Sequence, residues 1–140
     1  MKRSVTPLTR HRAFATIKIV AKAMLEGEKA LTYGDLKKRL GMPKPEIARG
    51  LGPILDEAAW MCKDHRIPDV SAVIVTKESM DRGAPMPSDD SFNADGFWVI
   101  TGLHKDELPD YQKKVQQFDW MSLRSLGLSE GRPEGSTKKD

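Results

Sequence analysis

The sequence predicts a single α+β domain that is mainly helical and carries a short β-sheet. Apolar residues recur at helical spacing through most of the first 66 positions, whereas the branched run "VSAVIV" at 70–75 is typical of a strand. Glycine and proline separate these segments. A chain of 140 residues is the usual size of one domain. We therefore expect a domain over residues 1–127 and a disordered polar tail over residues 128–140.

The segment "RAFATIKIVAKAML" predicts the first helix. Its apolar face comprises Phe14, Ile17, Ala21 and Met24, and its other face carries Lys18 and Lys22. Gly27 marks its end.

A second helix is predicted over "YGDLKKRL", with Thr32 as its N-cap and Leu36 and Leu40 buried. Its three consecutive basic residues are expected to point outward: Lys37, Lys38 and Arg39. Gly41 ends this helix, and Pro43 and Pro45 favour a fresh start after it.

An apolar stripe predicts a third helix that runs from Pro45 to about Arg66. Gly52-Pro53 lies inside that stretch, so we expect a kink or two successive helices there. Cys62 falls on the stripe, which predicts a packed, inert thiol.

The second half of the chain predicts the sheet and a last helix. "VSAVIV" is expected to form a strand, residues 78–96 a long loop, and "FWVI" at 97–100 a possible partner strand. "ELPDYQKKVQQFDW" predicts a helix, with Pro109 tolerated only in the first turn.

Charge is divided unevenly along the chain. Residues 1–50 carry twelve Lys and Arg against four Asp and Glu, whereas residues 51–140 carry eleven against sixteen. A localised positive field attracts polyanions such as nucleic acid, although lysines can also simply solvate helices. The sequence contains no run apolar enough for a membrane span and no signal peptide, so we expect a cytoplasmic protein.

The residues that support catalysis or metal binding are not arranged for either. Cys62 is the single cysteine, and the three histidines lack an H-x-x-x-H or C-x-x-C partner. "SFNADG" fails as a calcium loop, because its first ligand is Ser91 and its twelfth position is Gly102. We expect a non-enzymatic protein that needs neither metal nor cofactor.

The stretch from Thr32 to Gly52 resembles a known DNA-binding segment. It reads Thr-Tyr-Gly-Asp-Leu, then Gly-Met-Pro, then Ala-Arg-Gly-Leu-Gly. This pattern is similar to the winged helix-turn-helix half of the alkylguanine DNA alkyltransferases and alkyltransferase-like proteins. The resemblance implies a DNA-binding winged helix, with Tyr33 in the interface. It also matches Arg49 to the arginine that, in that family, enters the duplex and supports an extruded nucleotide.

The reactive motif of that family is missing. Where the alkyltransferases carry "PCHR" before a strand, this chain has "PDVSAVIV", so alkyl transfer is excluded. The wider pattern, with a closing "FDW", is similar to small phage and mobile-element modules, some of which are joined to HNH nucleases.

Two functions remain open at this stage. In the first, the chain binds double-stranded DNA, largely through the backbone. Phosphate contacts come from Lys37, Lys38, Arg39 and Lys44, Arg49 reads or enters the duplex, and the "TKESMDR" turn is a wing that carries Lys77 and Arg82. In the second, the same fold binds a protein partner, for example a nuclease of a mobile element.

Overall fold

The computed structural model describes residues 5–43, 50–87 and 102–122. Within these ranges, five α-helices occupy Pro7–Leu25 (α1), Tyr33–Arg39 (α2), Leu51–Asp64 (α3), Lys77–Asp81 (α4) and Leu108–Gln117 (α5). Two short strands, Leu31–Thr32 (β1) and Ile74–Val75 (β2), form one sheet, and 3-10 turns cover Val70–Val73 and Lys105–Glu107. The prediction of a mainly helical α+β chain with a short sheet is confirmed. The tail at 128–140 lies outside the described residues.

Helix α1 begins before its apolar pattern does. The Thr6 side chain accepts a hydrogen bond from the Thr9 amide at 3.0 Å, and Pro7 occupies the first helical position. Ala13, Ile17, Val20 and Ala23 are fully buried along one side of the helix. The predicted end near Gly27 is confirmed, because this residue follows the helix with a φ of 89°.

Helix α2 begins where the sequence predicts. The Thr32 hydroxyl accepts a hydrogen bond from the Asp35 amide at 3.1 Å, and Leu36 is fully buried. Leu40 is only half-buried. The expectation that Lys37 points outward is wrong, because this residue is 4% exposed. Since α2 contacts α1 and both strands, the buried arc of this short helix is wide enough to include Lys37.

Helix α3 is one helix without the predicted interruption at Gly52-Pro53. Gly50 is its N-cap, so Gly52 and Pro53 occupy the second and third helical positions. A proline in the first turn replaces an amide that has no partner inside the helix, so it is tolerated there. The prediction of a kink was therefore wrong, whereas the alternative of two successive helices depends on residues 44–49, which lie outside the described residues. The predicted start at Pro45 falls outside the described residues.

The sheet differs from the one that the sequence predicts. Only Ile74 and Val75 of "VSAVIV" form a strand, and they pair in parallel with Leu31 and Thr32. The preceding four residues form a 3-10 turn, because the Asp69 side chain accepts from the Ser71 amide at 2.9 Å. All six residues are buried, so an apolar run alone does not distinguish the turn from a strand. The proposed partner at 97–100 lies outside the described residues.

The "TKESMDR" segment is a helix and not a wing turn. Thr76 caps α4 by accepting a hydrogen bond from the Ser79 amide at 3.1 Å. The Ser79 hydroxyl lies within hydrogen-bond distance of the Met86 carbonyl and amide. These contacts hold the segment that follows α4 against the helix. The loop predicted over 78–96 therefore begins later than expected, after residue 81.

Helix α5 is confirmed, with Pro109 in its first turn. Leu108 and Val115 are fully buried against the core. After the helix, the Trp120 indole nitrogen donates to the Val115 carbonyl at 2.7 Å, and its ring packs edge-on against Phe118 at 4.7 Å. Among the described residues, no helix is both long and apolar enough to cross a membrane.

Cys62 is a core residue, as the sequence predicts. Its side chain is fully buried in α3, and burial raises the pKa of its thiol well above the ordinary value, with the nearby Asp69 adding to the shift.

Replacement of Cys62 by serine should destabilise the fold by about 1 to 2 kcal/mol, because it buries a hydroxyl in apolar surroundings. Chemical denaturation of Cys62→Ser and wild type measures this difference. The native thiol should also react slowly with a thiol reagent in the folded protein. Rapid native-state labelling would contradict a packed role.

Candidate nucleic-acid interface

The sequence predicts eight DNA-contacting residues, and the described ones differ in exposure and in ion pairing. Lys44 and Arg49 lie outside the described residues. Tyr33 is half-buried and packs against the core, while Lys37 is buried. Of the predicted basic contacts on α2, Lys38 and Arg39 remain exposed.

Arg39 is held by two carboxylates. Its guanidinium lies 3.1 Å from Asp35 and 3.4 Å from Glu28, one turn earlier on α2 and before β1 respectively. An exposed pair of this kind contributes little to stability, but it cancels the positive field that would attract a phosphate. Lys38 is therefore the exposed cation on α2 that the described ion pairs leave uncompensated.

The predicted wing residues lie on a segment without net charge. Lys77 pairs with Asp81 at 2.8 Å and Arg82 pairs with Glu78 at 3.0 Å, in each case across one helical turn. Two cations and two carboxylates cancel over residues 77–82. This segment provides little electrostatic attraction for DNA.

Positive charge is concentrated instead on α1. Four of the six Lys and Arg in the first 25 residues lie on α1, and this stretch contains no Asp or Glu. Lys18 and Lys22 are exposed, lie one turn apart and form no ion pair within the described part of the chain. The Lys18 ammonium lies 5.2 Å from the centre of the Phe14 ring, which leaves it on the surface of the helix.

We define the α1 basic face as Lys18 and Lys22 together with the neighbouring exposed His11. These positions fall within a narrow arc at 100° per residue, opposite the buried stripe. The helical pattern separates the two lysines from the apolar face, but the resemblance to a DNA-binding segment does not extend to them. The absence of any acidic residue before Glu26 is the signal that could have done so.

Another part of α1 has a different electrostatic character. A groove of about 430 Å³ lies between its first turn and α3, with this lining: Val5, Thr6, Thr9, Pro53, Asp56, Glu57 and Trp60. Glu57 is only 3% exposed, and its carboxylate lies 3.8 Å from the Arg10 side chain. Trp60 is half-buried, with the Lys63 ammonium 5.2 Å from its ring centre. We refer to this feature as the Trp60 groove.

Metal ligation finds no support in the described ranges. No three His, Cys, Asp or Glu side chains converge there as a metal site would require. The His65 ring nitrogen Nδ1 lies 3.0 Å from the Met61 carbonyl, within hydrogen-bond distance. This contact gives the His65 ring a structural role at the end of α3.

Comparison with protein-family models, with curated proteins and with solved structures finds no match to this chain.

Proposed function

We propose that this chain is a non-catalytic, cytoplasmic protein that binds double-stranded DNA, chiefly through the phosphate backbone. The α1 basic face is the observation that carries the proposal. Lys18 and Lys22 extend into solvent from a helix that contains no carboxylate, so their charge is available to neutralise phosphates. Neutralisation releases condensed counterions, which drives association without reading the base sequence.

In a helix-turn-helix, α2 would be the supporting helix, and it contacts α1. Its Thr32 cap and buried Leu36 fix its position, while Lys38 remains exposed toward solvent. The resemblance described above then gives Arg49 a separate role in base reading or duplex opening. The chain lacks a basic wing at residues 77–82, so α1 takes over the phosphate contacts expected of that wing.

A second candidate function is supported by the Trp60 groove. A half-buried aromatic ring beside a groove is the kind of feature that anchors a protein partner. Under this alternative the chain is an interaction module of a mobile-element or nuclease-associated system. Failure of the wild type to bind any duplex at about 50 mM salt would favour this function over DNA binding.

The α1 basic face can be tested by the salt dependence of duplex binding. The double variant Lys18→Ala and Lys22→Ala should lower the slope of log affinity against log salt by up to roughly two, at about 0.9 per lost phosphate contact. Fluorescence anisotropy with a mixed-sequence duplex at several salt concentrations measures the slope.

A matched control removes two exposed lysines from α5, Lys113 and Lys114. They lie in the acidic half of the chain, and the control variant should keep the wild-type slope. Equal slope changes for the two double variants would show that binding does not depend on α1.

Lys37 and Lys38 should behave differently although they are adjacent. Lys38→Ala should lower the salt slope by about 0.9, because its exposed ammonium can contact a phosphate. Lys37→Ala should leave the slope unchanged and alter stability instead, because its side chain is buried. The measurements are duplex titration and chemical denaturation of both variants; a reversed pattern would refute this assignment.

Arg49→Ala tests base reading against simple phosphate contact. If Arg49 reads a base or supports an opened pair, its loss should cost about 1 to 3 kcal/mol on the preferred duplex and leave the salt slope nearly unchanged. The comparison uses a preferred duplex, selected from a random pool, and an unrelated duplex. Equal loss on both, with a slope change near one, would reduce Arg49 to a phosphate contact.

A further inference from the structure

Asp69 is a buried carboxyl group that the proposed DNA contacts do not use. The residue is 2% exposed and precedes the 3-10 turn Val70–Val73. Its Oδ1 atom accepts hydrogen bonds from the Ser71 amide at 2.9 Å and the Ser71 hydroxyl at 2.7 Å. Its Oδ2 atom is buried and has no hydrogen-bond partner among the described residues. One carboxyl oxygen of Asp69 therefore has hydrogen-bond donors, and the other has none among the described residues.

The same residue connects two parts of the fold. The Asp69 amide donates a 2.6 Å hydrogen bond to the Tyr111 hydroxyl on α5. The neighbouring Gln112 side chain donates to the Ala72 carbonyl at 3.0 Å. Hydrogen bonds from the Asp69 amide to Tyr111 and from Gln112 to Ala72 therefore hold α5 against the 3-10 turn. Strand β2 follows directly after this turn.

The titratable groups that act on Asp69 do not stabilise a negative charge there. Asp56 and Cys62 approach from α3, and Tyr111 approaches from α5. Asp56 contributes a like charge, while the pKa values of the Cys62 thiol and the Tyr111 phenol are themselves raised, that of Tyr111 to about 12. Burial is the largest cause that raises the pKa of Asp69 to about 6, and the Ser71 hydrogen bonds oppose it.

We propose that Asp69 is a proton-controlled latch, in which protonation of its buried side chain preserves the contact between its backbone amide and α5, and ionisation loosens that contact. Burying a charged carboxylate with an unpartnered oxygen destabilises the folded state, and burying a neutral carboxyl group destabilises it much less. The hydrogen bond between the Asp69 amide and the Tyr111 hydroxyl joins α5 to the 3-10 turn at the residue that becomes charged. We therefore expect the destabilisation caused by ionisation to increase the opening of α5.

The direction of the pH response follows from the two pKa values. The folded-state value of about 6 lies above the ordinary 3.8, so the proton stabilises the folded state. This contribution is fully present below about pH 3.8, is lost as the pH rises through about 6, and changes little above that. A pKa difference of about two units corresponds to roughly a 100-fold change in the opening equilibrium.

The test compares the full-length wild type with Asp69→Asn by amide hydrogen exchange from pH 4 to pH 8. After correction for intrinsic exchange, the opening of α5 in the wild type should increase by up to roughly 100-fold between pH 4 and pH 7. Asp69→Asn should lack this increase, because its side chain does not ionise. Asp119→Asn, a change at an exposed carboxyl, should keep the wild-type profile. Identical profiles for wild type and Asp69→Asn would overturn the latch.

A second variant keeps the proposal testable if Asp69→Asn does not fold. Ser71→Ala removes the hydroxyl donor that favours the charged form of Asp69, so the midpoint of the response should move to higher pH. Carbon NMR of the Asp69 carboxyl in the wild type and in this variant reports the same midpoint. A wild-type carboxyl that titrates near pH 4, or a midpoint that Ser71→Ala does not raise, would refute the proposal.

Discussion

The packing of α1 against α3 is the contact on which the rest of this fold depends. It is the most extensive contact between elements in the described part of the chain, and α1 also contacts α2, α5 and the 3-10 turn. Both helices bury small residues, with Ala13 in α1 and Ala58 in α3 fully buried, and small side chains permit helices to approach closely. Once the apolar side of α1 is committed to this core, Lys18 and Lys22 must face solvent. The candidate DNA surface is therefore a consequence of how the core packs.

Local chemistry made the helices predictable from the sequence. Thr32 caps α2 as expected, Gly27 ends the α1 segment, and Pro109 is accommodated in the first turn of α5, because each residue acts on backbone groups only a few positions away. The 3-10 turn at Val70–Val73 was not predictable in the same way. Residues 70–75 are all buried and five of them are apolar, so their pattern does not distinguish a turn from a strand; the turn depends on one side chain just before them, Asp69. The parallel pairing of β1 with β2 depends on a long crossover, which local sequence does not encode.

The candidate site was less predictable than the fold because exposure and ion pairing depend on tertiary contacts. Lys37 and Lys38 are equivalent by composition, yet the strands and α1 cover one and leave the other in solvent. Arg39 was expected as a phosphate contact, but Glu28 reaches it from eleven residues away. The "TKESMDR" segment contains its own compensating carboxylates, and a cap at Thr76 turned it into a helix. Counting charges in sequence windows detects the basic half of the chain but not which cations remain available.

Electrostatics also determine where along α1 a polyanion would lie. The first turn of α1 lines the Trp60 groove together with Asp56 and Glu57. The Glu57 carboxylate forms an ion pair with the Arg10 side chain at 3.8 Å. Carboxylates at that end repel phosphates, even though a helix N-terminus by itself attracts them. The second half of α1 has the opposite character, because Lys18 and Lys22 stand there without a carboxylate partner among the described residues. A duplex that follows this field would contact the second half of α1 and leave the groove uncovered, so DNA and a protein partner could occupy the same molecule without competing.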